Sequence, residues 1–365
     1  MKKNRICFVA LLLFLGVASV CVWSKTPDDF SSSERRPLKQ FPEVSFERIL
    51  SGDFMSEFEA YLTDQFPLRE KLRSVKSFYV TKVLGQKDVH DIYVVDGFAS
   101  KMEYPLNTSS VEHAAERFSY VYDRYMKDKN ISAYYAVIPD KNYYLAEANG
   151  YLSMNYEELF AIVRKYMQNF QGEILLTDLL SIEDYYKTDI HWRQEKLLDV
   201  SERILGAMND ENKVSLYEKR TLDVPFYGVY AGQSGLNLEP EMIFYYTNEM
   251  TENCVVYDYE TRKNGKIYDM EKAYGKDLYE MFLSGAKSLL TIENPNAASE
   301  KELILFRDSF GSSVAPLLVS AYKKITLVDI RYIHPDLFGN YIQFEDQDVL
   351  FLYSTSVLNN GDTIK

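Results

Sequence analysis

The chain has 365 residues, with 54 Asp and Glu against 41 Lys and Arg and a formal net charge of −13. No run of Lys and Arg offers the basic face that neutralising phosphates requires, so nucleic acid is excluded as a partner. Hydrophobic residues make up 46% of the chain, enough for a large core, which excludes global disorder.

Residues 1–5 carry three positive charges, and residues 6–23 run apolar with only Gly16 and Ser19 interrupting. As a helix that run covers about 27 Å, close to a bilayer core. Without a clean small-x-small cleavage site, residues 1–24 read as an uncleaved N-terminal signal-anchor, with a cleaved signal peptide and secretion as the alternative. The positive flank stays inside, which puts the remainder on the extracytoplasmic side of the cell membrane. Residues 25–45 mix Ser, Thr, Pro and charge without an apolar period and read as a linker. One domain is expected over 46–365.

Phe54, Phe58, Tyr61 and Leu62, then Leu68, Leu72, Val75 and Tyr79, predict two lead-in helices. Residues 91–99 predict a strand and turn, and Val111, Ala115, Phe118, Tyr122 and Tyr125 a long amphipathic helix. A buried strand over 131–138 ends at Pro139, residues 156–170 are helical, and 172–179 form another short strand. Strands alternating with helices imply right-handed crossovers and a parallel sheet. Sites in such sheets open at the carboxyl ends of strands, here after Ile138, Leu179 and Phe306. From 214 to 272, short Tyr-rich runs broken by Gly228, Gly232, Gly235 and Gly265 predict an irregular β-rich insertion close to the site. A short helix over 277–283 follows, then strands at 303–306, 325–330 and 349–353, with a helix at 314–322.

The 30 Tyr against 2 Trp admit two readings. Tyr227, Tyr230, Tyr245 and Tyr246 in the insertion are candidate stacking platforms for a sugar, or Tyr fills half-buried strand positions. Only Cys254 lies beyond the leader, and there is no CxxC or His pair at helical spacing. No protein-ligated metal and no cofactor is therefore expected.

Asp308-Ser309-Phe310-Gly311 follows the apolar strand and opens a helix. A strand, tight turn and helix put Ser309 at the helix entrance, where backbone N–H groups of the turn, Gly311 included, can face a developing oxyanion. That geometry suits a nucleophile; the plainer reading is an N-cap turn. A Ser nucleophile needs a base. In Asp189-Ile190-His191-Trp192 the acid and the imidazole are two apart, which on an extended segment puts both on one face. Asp189 can then orient His191 as it takes the Ser309 proton; a solvated Asp-x-His at a helix start is the alternative. His90, His113 and His334 read as structural or solvated. Asp308, Arg331 and Tyr332 are placed near the pocket, with Arg331 either binding an anionic group of the substrate or pairing with Asp329.

These two motifs, with Tyr185-Tyr186-Lys187-Thr188 before the first, Asp329-Ile330-Arg331-Tyr332 after the second and, more weakly, Ile138-Pro139-Asp140-Lys141 and residues 226–236, resemble the DHHW protein family over about residues 46–358. That family lies in the SGNH-hydrolase-like group that includes the alginate O-acetyltransferases. The resemblance implies a three-layer α/β/α sandwich with a mostly parallel sheet. It makes Asp189 the orienting acid, His191 the base and Ser309 the nucleophile. It further implies acetyl transfer, through an acetyl-serine, to a hydroxyl of a cell-surface or secreted polysaccharide. A glycan is then the acceptor and a membrane-bound O-acyltransferase the acetyl donor. Two positions depart from the family pattern. Ile190 stands where the family name has His, and residues 282–286 stand where relatives tend to carry Gly-Gly-Asn, so Gly285 remains an oxyanion candidate while Ala286 cannot donate. A carbohydrate O-acetyl esterase, and a catalytically weak glycan-binding or envelope-assembly module, are the alternatives.

Overall fold

The computed structural model describes residues 2–31, 33–208 and 216–365. It divides into two compact units, Met1–Ile92 with Ala231–Leu238, and Tyr93–Tyr230 with Glu239–Lys365. The expected domain start at residue 46 falls inside the first unit.

That unit begins with a helix over Lys2–Ser24, on which Phe8, Leu12, Leu13, Val17, Val20 and Trp23 are exposed. Among the described residues, no helix is long and apolar enough to cross a membrane. Helices Phe46–Ser51, Asp53–Asp64 and Arg69–Phe78 follow. Within residues 25–45, Arg36 binds both Asp64 oxygens at 2.8 and 2.6 Å, and Glu34 lies 2.6 Å from Arg69. Part of the insertion folds here too, with Arg73 donating to the carbonyls of Gly232 and Gln233.

The second unit is built on one eight-stranded sheet. Its strands are Ser132–Ile138 (β1), Gly172–Glu173 (β2), Val255–Asp258 (β3), Lys263–Gly265 (β4), Leu289–Glu293 (β5), Glu302–Arg307 (β6), Lys324–Val328 (β7) and Asp348–Ser354 (β8). Their spatial order is β4-β3-β5-β7-β6-β8-β1-β2. The β7-β6-β8-β1-β2 half is parallel, and β5, β3 and β4 extend it antiparallel. The strand expected over 172–179 shrinks to β2. The insertion forms a separate hairpin, Glu218–Thr221 with Phe244–Thr247, and also gives β3 and β4 to the main sheet.

Side chains alternate between the faces along each central strand, as the pleat requires. Leu303, Leu305, Leu350 and Leu352 share one core with Val200 and Ile204 of helix Leu198–Ala207 and with Val314 and Leu318 of helix Gly311–Leu318. Ile304, Phe306, Val349 and Phe351 share the other with Phe118 of helix Thr108–Tyr125 and Phe160 of helix Tyr156–Tyr166. Both faces are thus covered, which is the three-layer sandwich expected from the sequence. Near-continuous apolar strands such as residues 303–306 reflect that double burial. Part of the Tyr excess lies in these cores, Tyr185 and Tyr322 in the first and Tyr353 in the second, while Tyr93 and Tyr186 are buried in smaller clusters.

Candidate active site

Ser309 follows the carboxyl end of β6, in the turn that opens helix Gly311–Leu318. Asp308 builds that turn. It is wholly buried; one carboxylate oxygen accepts the Phe310 N–H at 3.0 Å, and the other accepts the N–H and hydroxyl of Ser354 at 2.8 and 2.7 Å. The carboxylate is therefore used in tying the Ser309 turn to the end of β8, and it is not a substrate contact. Gly311 permits close packing, since a Cβ there would lie 2.6 Å from Cβ of the buried Arg307. Its N–H donates to the Asp308 carbonyl at 3.1 Å. With the N–H groups of Phe310 and Gly311 both taken, that of Ser309 is the remaining donor of the turn for an oxyanion.

The Asp189 segment is a bent loop rather than the extended run expected, closed at its base by Tyr186 N–H to the His191 carbonyl at 3.0 Å. The acid and imidazole meet through an Asx turn. Asp189 Oδ1 accepts the backbone N–H of His191 at 3.1 Å and lies 2.6 Å from its Nδ1. His191 Nε2 lies 2.8 Å from Ser309 Oγ. The structure thus joins Asp189, His191 and Ser309 in one hydrogen-bonded row, with His191 buried and Ser309 half-buried at the open end. Ile190 packs against the core on the other side. Trp192 donates through Nε1 to the Phe310 carbonyl at 3.1 Å and to Ser313 Oγ at 2.8 Å, which locks the two motifs together.

The loop is held from two further directions. Lys141, just beyond β1 and fully buried, donates to the carbonyls of Tyr186, Lys187 and Asp189 at 2.7, 3.0 and 3.0 Å. Burial pushes its ammonium down to about 7, against the pull of Asp189 and Glu241. From the insertion, Gly228 N–H donates to Thr188 Oγ1 at 2.9 Å and Val229 N–H to Asp189 Oδ2 at 2.8 Å. Only glycine fits at 228, where a Cβ would sit 2.3 Å from the Thr188–Asp189 backbone. Over the imidazole lies Tyr279, its ring centroid 3.8 Å away and tilted by 9°.

Other expected residues are placed elsewhere. Gly285, at φ +85, closes its own turn through its N–H to the Phe282 carbonyl at 3.3 Å, so that N–H is used before any oxyanion forms. Arg331 pairs with Asp329 at 2.9 and 2.7 Å, the second of its two readings. Burial opposes its charge, yet the bonds to Asp329 hold it above the ordinary arginine value. Tyr332 is exposed beside it. Tyr230 and Tyr245 are buried and cannot stack on a sugar, whereas Tyr227 is 54% exposed. Among the described residues no group of His, Cys, Asp and Glu has the arrangement of a metal site.

The sequence reading missed Tyr279 and Ser354 altogether. Lys141 carried one signal, its place directly after a strand end.

A mostly parallel α/β sandwich with an Asp-His-Ser row at the carboxyl end of a central strand has the architecture of the SGNH-hydrolase-like group. Among solved structures, the chain is similar to a DHHW family protein from Eubacterium siraeum, with 20% identity and a TM-score of 0.58 over 75% of this chain and 93% of that one. It is also similar to Bacillus cereus PatB1, with 19% identity and a TM-score of 0.55 over 75% and 98% of the two chains. A second PatB1 structure, with a sulfonyl adduct, gives 21% identity and a TM-score of 0.56. At these identities the likeness is one of fold. No protein-family model and no curated protein matches the sequence.

Proposed function

We propose that the protein is an extracytoplasmic, membrane-anchored, serine-dependent O-acetyltransferase that acetylates hydroxyls of a cell-surface or secreted polysaccharide. The observation that carries the reading is the unbroken row from Asp189 through His191 to Ser309, at 2.6 and 2.8 Å. As Ser309 Oγ attacks the acetyl carbonyl carbon, its proton passes to His191 Nε2, and Asp189 stabilises the imidazolium. The tetrahedral oxyanion collapses, the donor's oxygen leaves with the proton from His191, and acetyl-Ser309 remains. A glycan hydroxyl then attacks this ester, giving its proton to His191, which passes it to Ser309 Oγ as the Oγ–carbon bond breaks, so that the acetylated sugar leaves and Ser309 and the neutral imidazole are restored. A membrane-bound O-acyltransferase is the proposed donor. The apolar run 6–23 behind a positive flank, on which Phe8, Leu12, Leu13, Val17 and Val20 are exposed, supports anchoring. Tyr227 is the insertion's exposed platform for the acceptor.

The site provides one turn N–H for the oxyanion, and Ala286 adds no side-chain donor. A missing donor costs about 2.7 to 4 kcal/mol of transition-state stabilisation, so slow acetylation is expected.

The test is acetylation of the purified chain by p-nitrophenyl acetate. Intact mass should gain about 42 Da on Ser309 in the wild type and nothing in Ser309→Ala, as covalent catalysis requires. Equal behaviour of the two proteins would remove the enzyme reading. Because one neighbour of like fold carries a sulfonyl adduct, phenylmethylsulfonyl fluoride is the second probe. Adding an oligosaccharide separates transfer from hydrolysis, since only a transferase moves the label to the sugar.

A further inference from the structure

Tyr279 lies 34 residues before Ser313 and far from both motifs in sequence, yet its ring covers the face of His191. The two rings are nearly parallel, with centroids 3.8 Å apart at 9°. Tyr279 is 5% exposed, and its position is fixed at the hydroxyl, which donates to Ser313 Oγ at 2.9 Å. Ser313 Oγ in turn accepts from Trp192 Nε1 at 2.8 Å. One hydroxyl therefore joins the residue after His191, the helix after Ser309 and the ring stacked on the imidazole. Phe310 lies tilted beside the imidazole, its ring centroid 5.1 Å away.

We infer that Tyr279 is a positioning residue for His191, whose ring face stabilises the imidazolium that forms when the Ser309 proton arrives. This rests on the proposed acyl-serine chemistry. An aromatic face is the negative end of a quadrupole and attracts a cation held within about 6 Å of its centroid. The neutral imidazole gains much less from that field, so the contact strengthens as the proton moves, which is the condition for lowering a barrier. The stack also fixes the ring plane so that Nδ1 stays on Asp189 and Nε2 on Ser309.

Other charged and titratable groups about the imidazole are Asp189 on Nδ1 and Ser309 on Nε2, with Asp308 and Arg307 behind the Ser309 turn. Lys141 and Glu241 act on the Asp189 loop. None of these changes if only the electron density of the ring at 279 is altered.

The experiment alters that density alone. Position 279 is made Phe, and then pentafluorophenylalanine by nonsense suppression, which keeps the ring's shape and reverses its quadrupole. Two readouts are taken: the rate of Ser309 acetylation by p-nitrophenyl acetate, and protonation of the His191 ring followed by 15N NMR. Tyr279→Phe, which keeps the ring but gives up the bond to Ser313 Oγ, sets the reference rate against which the fluorinated protein is read. The fluorinated protein should be about two- to fivefold slower at saturating ester, with its half-saturation unchanged, and its imidazole should protonate at lower pH. Equal rates and titrations for Phe and pentafluorophenylalanine would overturn the inference and leave the acyl-serine reading intact. A wild type that never acylates, but whose imidazole responds to fluorination, would overturn the acyl-serine reading and leave the ring's role standing. Ring-current shifts on the His191 protons, present with both rings, establish that each variant keeps the stack.

Discussion

Lys141 presents three N–H donors to three carbonyl oxygens, those of Tyr186, Lys187 and Asp189. No water-facing group shares the work, because the side chain is fully buried. Replacing Lys141 by Met keeps the stem and removes every donor. The Lys187 carbonyl keeps the Ala99 N–H at 2.8 Å, but a buried carbonyl left without a partner costs about 1 to 3 kcal/mol, while the cost of keeping an ammonium out of water is relieved. A net loss of about 2 to 4 kcal/mol is expected from denaturant midpoints, with Ser309 acetylation reduced as the Asp189 loop slackens. The pH dependence has a definite sign. Burial pushes Lys141 down to about 7, below the ordinary lysine value of about 10.4. Between those limits the unfolded chain binds more protons than the folded one, so stability rises with pH across that window. The burial cost is fully present below pH 7 and fades above it. Measured at about pH 7 and pH 9, the advantage of wild type over Lys141→Met should therefore widen at the higher pH. A constant gap would show that the amine is not titrating there.

Among the elements, the segment from Phe226 to Tyr230 straps the Asp189 loop onto the sandwich, and Gly228 makes the strap possible. A Cβ at 228 would lie 2.3 Å from three backbone atoms of Thr188 and Asp189. Backbone cannot give way as a flexible side chain can, so in Gly228→Ala the strap lifts and Val229 N–H leaves Asp189 Oδ2. A hydrogen bond to a charged group is worth about 1.5 to 3 kcal/mol, so acetylation of Ser309 should fall tenfold or more. A thermal melt should show a smaller loss, because neither sandwich core is touched, and unchanged acetylation would show that the strap does not position Asp189. The strap also marks how far the sequence could be read. Asp308-Ser309-Phe310-Gly311 was legible because a strand, a tight turn and a helix are written in contiguous residues. Asp189 and His191 were legible from a spacing of two, although an Asx turn and not an extended strand brings them together. The meeting of His191 with Ser309 spans 118 residues and rested on chemistry, since a Ser nucleophile needs a base. Tyr279 carried no local pattern at all. Tyr230 and Tyr245 were read from composition, which does not say which face a ring takes, and both are buried. Strand β5 went unseen because a short apolar run reads alike as strand or buried helix.

At the scale of the whole molecule, each compact unit holds a carboxylate that answers acid in the opposite sense to the other's, because Asp64 and Glu103 have opposite surroundings. In the first, hydrogen bonding from Arg36 holds Asp64 at about 2, and Glu34, despite its burial, is kept below its ordinary value by Arg69, Arg73 and Arg36. These ion pairs contribute stability above the ordinary carboxylate range, and it is lost as pH falls toward about 2. With the Arg36 side chain 39% exposed, the Asp64 share is on the order of 1 kcal/mol after solvent screening. In the second unit, burial first and the nearby Asp140 second push Glu103 up to about 7. Its folded form binds a proton between its ordinary value of 4.5 and about 7, where the unfolded chain does not. Stability of this unit therefore rises as pH falls through that window, by an amount on the order of 2 kcal/mol. The net charge of −13 also shrinks on acidification, which relaxes repulsion in both units alike. Glu103→Gln separates the two effects, because it mimics the protonated carboxyl at every pH. The variant should be more stable than wild type at pH 7 and no different near pH 4. Amide hydrogen exchange, read unit by unit, should show the second unit gaining protection from pH 7 to 5 and the first losing it from pH 4 to 2. Calorimetry near pH 3 should then resolve two transitions with the first unit melting earlier, and one transition at every pH would show that the units unfold as a single cooperative body.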